Sequence, residues 1–439
     1  MILLLVFTAL FFSTCNGDSN VQYAAVIYRH GDRTPVSFYP TDPYQNESLW
    51  PVKLGELTNI GKRQHFALGQ WLRKRYSHLL SSEFEPSEIY VRSTDVDRTL
   101  MSAQSNLAGM YPPSGNSVWN QNLMWQPLPV HTEPEKEDKL LAMKKHCPKY
   151  NIALDQYVHS REYKTRLNKY QNLMNYLTAY TGSKVTDYND INNIYDLLYI
   201  ESLYNFTLPN WTREVYPDKL VEPSGYSFTT DTGTPTLARL KVGPLLQHIT
   251  TQMANKVAFG KGKRNKTDIN VAIFSGHDIT VANVLHSLGL YNGISPVYTS
   301  TVFLELLYAN DTAATPLIRI SYRNSTDIVE PNILTIPKCG QLCPLERFIA
   351  LYENLITVDW NYECQKQYPA LLTTSVFFCF GVFVMIYVVY QLHFYRFYRQ
   401  YRFGSMFNLF SFKIMITKVI EFHDFIFYLS FRSYKRNAY

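Results

Sequence analysis

The body of this chain carries no net charge. From Phe394 onward, Arg396, Arg399, Arg402, Lys413, Lys418, Arg432, Lys435 and Arg436 face only Glu421 and Asp424, which accounts for the whole formal charge of +6. The first 369 residues hold 34 basic and 34 acidic side chains, so the basic pI is no argument for nucleic acid as a partner. Residues 370–393 have no charged side chain at all. Internal repeats and low-complexity linkers are absent, which excludes a repeat architecture. Cysteine is scarce, six in 439 residues, and Cys15 and Cys379 sit in apolar terminal runs. Cys147, Cys339, Cys343 and Cys364 remain, enough for two disulfides. Three pairings are open, and we favour Cys339–Cys343 as a short loop with Cys147–Cys364 as a long staple.

What is present at the ends reads as targeting. Residues 1–12, MILLLVFTALFF, form an apolar run followed by Ser13–Gly17, and we read residues 1–17 as a secretory signal peptide despite its lack of an N-terminal cation. Residues 370–392 are uncharged and long enough to cross about 30 Å of hydrocarbon as a transmembrane helix. Arg396, Arg399 and Arg402 follow it, which places residues 393–439 in the cytosol and the body in a lumen or outside the cell. Six Asn-X-Ser/Thr glycosylation sequons, at Asn46, Asn205, Asn210, Asn265, Asn310 and Asn324, all precede that span. The expectation is a single-pass type I membrane protein of the lysosomal membrane or cell surface, anchored in the membrane by one helix. The tail from Phe403 to Phe431 is apolar but carries charge, and reads as a lipid-surface segment or as read-through from non-coding sequence.

Within the body, apolar runs predict strands over 23–28, 88–91, 270–275, 301–308 and 317–322, the last two as an antiparallel hairpin. Helical spacing predicts a helix over 59–80 capped by Thr58, and others ending at Met110, over 237–256 and over 279–290. Residues 133–236 are rich in Lys, Tyr, Asn and Asp, with helical patches at 161–177 and 191–203, and read as an inserted helical cap. The core is then assigned to 18–132 and 237–369.

Three of the strands end in reactive residues. The first runs into Arg29-His30-Gly31-Asp32-Arg33-Thr34-Pro35, the second into Arg92, and the third into His277-Asp278. In open α/β sheets, ligands bind beyond the carboxyl ends of parallel strands, so adjacency would bring these residues to one crevice. Arginines beside His30 disfavour its imidazolium and leave a neutral nucleophile. Such a set opposes a metal cation, so neither metal nor cofactor is expected, and it suits a phosphoryl group. Arg98 is assigned to an ion pair with Asp95 or Asp97, and Asp32 to a turn or to orienting Arg33.

RHGDRTP, RSTDVDRT and SGHD, together with LTNIGKRQHFALGQWLRKRY, WQPLPVHT, YNFTLP and CPLERF, resemble the histidine acid phosphatases of the lysosomal and prostatic type over about residues 20–365. The resemblance implies a phosphoglycerate mutase-like α/β core with a mixed, largely parallel sheet and a smaller α-helical domain over the site. It implies His30 as the nucleophile, Asp278 as proton donor, and Arg29, Arg33, Arg92 and His277 as phosphate ligands. Both favoured cysteine pairs fit family bridges, and a third family bridge is missing. The expected partner is a small-molecule or protein phosphomonoester; a homodimer is left open. The alternatives are a specialised phosphatase for inositol phosphates or lysophosphatidic acid, a mutase-like transferase, and a non-catalytic receptor or adhesion ectodomain.

Overall fold

The computed structural model describes residues 20–259, 269–309, 314–356, 359–365, 381–382, 384–394 and 396. Its centre is β1 (Val21–Arg29), a nine-residue strand buried along almost its whole length. A strand that reads as one apolar run is buried on both faces, and that is its situation here. On one side β1 pairs in parallel with β3 (Val271–Gly276), which pairs in parallel with β2 (Ile89–Ser93). On the other side it pairs antiparallel with β4 (Thr301–Tyr308), which pairs antiparallel with β5 (Pro316–Arg323). Two short strands, β6 (Asn332–Ile333) and β7 (Cys343–Pro344), complete the far edge. The order is β2-β3-β1-β4-β5-β6, with β7 also on β5. The sheet is therefore mixed, with a parallel half of three strands, and not largely parallel. Only seven residues join β4 to β5, too few for the crossover that a parallel pair requires.

Helices cover both faces. Leu68 and Leu72 of α1 (Asn59–Arg75) and Ala103 and Leu107 of α2 (Asp97–Met110) pack on Ala24, Val26 and Tyr28. On the opposite face, Val242, Leu245 and Ile249 of α8 (Pro235–Phe259) and Val281 and Leu285 of α9 (Asp278–Ser287) pack on Tyr23, Ala25 and Ile27. The period-two alternation of a strand produces this division. Thr58 caps α1, its Oγ1 accepting from Gly61 N at 3.3 Å, and Arg73, Lys74 and Arg75 sit favourably at the negative end of the helix dipole. The helix ends at Arg75 rather than at 80. Leu79 and Leu80 are buried from a turn instead.

Between β2 and β3, after α2 and ahead of α8, the chain forms α3 (Pro148–Val158), α4 (Arg161–Asn168), α5 (Gln171–Thr181), α6 (Tyr188–Leu203) and α7 (Asp218–Thr230). The single helical patch expected over 161–177 is thus two helices, broken at Lys169–Tyr170. Leu177, Ile191, Ile194, Leu198 and Leu220 form a core cluster of their own with Tyr39. The segment also contacts the body through α7 and α9. Disulfides join Cys147 to Cys364 and Cys339 to Cys343. The first packs with Trp360 of α11 (Trp360–Glu363), which follows α10 (Leu345–Leu351), and with Leu240 of α8.

Residues 1–366 form one compact unit and 367–439 another. In the second unit the described positions between 381 and 396 are helical. Among the described residues no helix is long and apolar enough to cross a membrane. The signal segment 1–17, most of the 370–392 run, the tail beyond 396, and the sequons at Asn265 and Asn310 lie outside the described residues. Asn46, Asn205 and Asn210 are exposed and Asn324 is half-buried.

Candidate active site

The three parallel strands end side by side, and their first non-strand residues meet there. Arg29 and His30 leave β1 with their backbone still held. Arg29 N donates to Ser300 O at 3.0 Å, and His30 N to Gly276 O at 3.0 Å. Gly31 then passes so close to α1 that a Cβ on it would lie 2.6 Å from Gly61 Cα, which explains the glycine after the histidine. His30 is 1% exposed. Its Nδ1 lies 2.8 Å from Gly31 O, which can only accept, so Nδ1 carries the proton and Nε2 keeps its lone pair. Burial, then the charges of Arg29, Arg98, Arg33 and His277, hold His30 well below the ordinary histidine range.

Arg29 is gripped from several directions. Nη1 donates to Pro296 O at 2.5 Å, Nη2 lies 3.0 Å from Asp278 Oδ2 and 3.7 Å from Asp196 Oδ1, and the guanidinium stacks 4.4 Å from the centroid of Tyr298. Arg33 Nη2 donates to the other oxygen of Asp196 at 2.8 Å, and its Nη1 to Thr34 O at 3.1 Å. The Nε atoms of Arg29, Arg33 and Arg98 are all buried without a hydrogen-bond acceptor among the described residues. Arg92 and Arg323 carry the same unpartnered Nε elsewhere in the fold, so it is the gathering of three such cations on one buried histidine that makes a site calling for acceptor oxygens.

The third strand delivers His277 and Asp278 at the start of α9. His277 Nε2 is 3.0 Å from Thr94 Oγ1, and its ring meets that of His30 edge-on at 5.6 Å. Burial first, with Arg98, Lys144 and Arg29, lowers His277 to about 3. Asp278 Oδ1 accepts from Ile279 N at 2.7 Å. Burial pushes the Asp278 carboxyl up, but Arg29, Arg33 and His277 outweigh it, and the net shift is downward.

Asp32 neither orients Arg33 nor forms an isolated turn. Its Oδ1 accepts from Thr58 Oγ1 and from Tyr204 Oη (2.9 Å), fastening the nucleophile loop to both α1 and the end of α6.

Arg92 lies apart from this cluster. Its Nη2 bonds Glu133 at 2.8 Å and buried Asp138 at 2.9 Å. It shares a sheet face with Phe274, toward α8, because strand side chains alternate. The cation that reaches the cluster from this strand–helix junction is Arg98, in the first turn of α2. Among the described residues it forms no ion pair with Asp95 or Asp97, and its charge is felt by His30, His277, Arg33, Arg29 and Asp278. A signal for it existed in the sequence: a cation at the positive end of a helix is disfavoured, so an arginine there has some other use. Asp196 and Tyr298 were missed too. Asp196 comes from α6, whose helical pattern says nothing about what it faces. Tyr298 precedes Thr299, which adopts φ +59°, is buried, and donates its N–H to His30 O at 3.2 Å.

A family model described as histidine phosphatase superfamily (branch 2) matches residues 20–323. The chain belongs to that superfamily. This histidine phosphatase is 39% identical over 349 residues to prostatic acid phosphatase from Bos taurus, covering 78% of this chain and 87% of that protein. It is 36% identical over 353 residues to lysosomal acid phosphatase from Homo sapiens, covering 79% of this chain and 80% of that one. Among solved structures it is similar to the Hafnia alvei phytase in complex with tartrate, with a TM-score of 0.60 and 18% identity over 79% of this chain and 98% of that one. At that identity the likeness concerns the fold alone.

Proposed function

We propose that this histidine phosphatase is an acid phosphatase that hydrolyses phosphate monoesters through a phosphohistidine on His30. The observation that carries the reading is the convergence of three guanidiniums with buried, unpartnered Nε–H groups on a histidine whose Nε2 lone pair is free. Arg29, Arg33 and Arg98 would take the phosphoryl oxygens, with His277 as a further donor. His30 Nε2 attacks phosphorus, the bond to the ester oxygen breaks, and Asp278 gives its proton to the departing alkoxide. Water then attacks the phosphohistidine, returns a proton to Asp278 and releases phosphate, leaving Nε2 with its lone pair.

Two shifts bear on the acid optimum. His30, held low by burial and arginines, stays neutral in acid. Asp278, held low by the same arginines, is a carboxylate in the free enzyme. Phosphate charge on Arg29 and Arg33 offsets what holds Asp278 down, so substrate binding raises its proton affinity and acid pH completes the loading. The helical segment 133–236 is read as a cap that selects the substrate. The apolar ends and the sequons support a glycosylated, membrane-anchored protein facing an acidic lumen or the cell exterior.

The test is steady-state hydrolysis by the full chain across pH, over a panel of aryl, alkyl, inositol and lysophosphatidic acid phosphates, with and without tartrate. Rapid-quench trapping of phosphoenzyme accompanies it. We expect acid-optimal turnover and a burst that His30→Ala abolishes; full activity in His30→Ala would overturn the mechanism.

A further inference from the structure

We propose that Asp196 is a positioning residue that sets the phosphate affinity of the pocket by sharing the charge of Arg29 and Arg33. The inference rests on the phosphate-binding reading above and goes beyond it. Asp196 bridges the two arginines: Oδ2 is 2.8 Å from Arg33 Nη2, and Oδ1 is 3.7 Å from Arg29 Nη2. Its side chain is 22% exposed while those of the arginines are 7% and 4%, so the carboxylate lies on the solvent side of two buried guanidiniums. Charge interactions are strong in such a place and are not screened away.

The carboxylate is held there by its helix. α6 starts in a capping box between Asp187 and Asp190 and buries Ile191, Ile194, Leu197 and Leu198. Tyr204, just past its end, bonds Asp32 beside the nucleophile. Asp196 is thus delivered by the helical segment, whereas the arginines come from the β1 loop and α2. Without it, three guanidiniums would face Asp278 alone, and a doubly charged phosphate would bind that pocket too tightly to leave. With it, the arginines are held in place before substrate arrives, and part of their charge is already neutralised. A carboxylate in direct contact with the arginines that take the anion would otherwise be an odd choice, since it repels substrate. Its use is to make the product leave.

The experiment measures inhibition by inorganic phosphate in the full chain. In the isosteric Asp196→Asn variant we expect the inhibition constant to fall roughly tenfold or more, as one charge is lost within a few ångströms of the anion. We also expect kcat to fall as release slows, and phosphate to raise the melting temperature more than in wild type. Asp196→Glu, which keeps the charge, should stay within roughly threefold of wild type. A residue that merely props up the fold would give the opposite result, weaker phosphate binding with higher KM. An unchanged or weaker inhibition constant in a cooperatively melting Asp196→Asn protein overturns the proposal, as does an Asp196→Glu protein that behaves like the Asn variant. Absence of both turnover and phosphate inhibition in wild type would sink the phosphatase reading and this proposal together. Normal wild-type turnover with no change on substitution would sink the role of Asp196 alone.

Discussion

Replacing Arg98 by alanine separates two accounts of the anion site, because Arg92 is the other arginine of the same strand–helix junction. Arg98 acts on His30, His277 and Asp278 through its charge, while Arg92 is neutralised by Glu133 and Asp138. A guanidinium about 4 Å from a developing phosphoryl charge is worth about 4 kcal/mol at an effective dielectric of about 20. Part of that is offset, because Arg98→Ala also relieves the repulsion among Arg98, Arg33 and Arg29 that burial intensifies. A net loss of about 3 kcal/mol of transition-state stabilisation is a fall of roughly a hundredfold in kcat/KM. The pH profile should move as well. Arg98 is among the charges that hold His30 down, so its removal raises the His30 pKa, and the acid limb of activity shifts to higher pH. Steady-state assays of Arg98→Ala and Arg92→Ala from about pH 3 to pH 8 measure both effects. Arg92→Ala should keep the profile of wild type and lose stability instead, since buried Asp138 would lose its counter-ion and keep only its backbone N–H donors. Near-wild-type kcat/KM in Arg98→Ala, with the large loss in Arg92→Ala, would refute the assignment.

Other outcomes follow from the same geometry. Asp278→Asn removes the transferable proton, so it should slow hydrolysis most for esters with poor leaving groups, read as a steeper dependence of log kcat on leaving-group pKa. The carboxyls of Asp42 and Glu201 are buried against each other, and burial together with Asp42 pushes Glu201 above the ordinary carboxylate range. A folded-state pKa raised in this way makes that pair's contribution to stability complete in acid and lost as pH rises toward and past neutrality. Glu201→Gln should therefore narrow the melting-temperature gap between about pH 5 and pH 8, and a gap that stays the same would exclude the pair as its source. The disulfide between Cys147 and Cys364 spans 217 residues, and Cys147→Ser should cost up to about 5 kcal/mol in the chain-entropy account, seen in denaturant unfolding.

Much of this molecule is legible in its residues. The apolar run at 23–28 ends where β1 ends, and the strand-terminal motifs RHG and GHD appear where a parallel sheet must open its crevice. Thr58, followed by helical spacing, marks the start of α1. These features are local: period, capping chemistry and turn residues act within a few positions, so the sequence displays them directly. The mixed character of the sheet is less visible, because whether a strand pairs parallel or antiparallel depends on the length and path of its connections and on which edge it meets. The helix break at Lys169–Tyr170 and the early stop of α1 are decided by packing against neighbours.

The opening motif and the histidine–aspartate pair needed only the sequence, since each is a contiguous residue set at the end of a strand. The choice between Arg92 and Arg98 needed the tertiary structure. Arg92 lies near the end of β2 and Arg98 in the first turn of α2, and only the alternation of the strand against that turn sends one to Asp138 and the other to His30. Asp196 needed it most of all. Nothing within α6 distinguishes that aspartate from the other acids on the helix, and its meaning comes from two arginines more than 160 positions away that the fold brings within 4 Å.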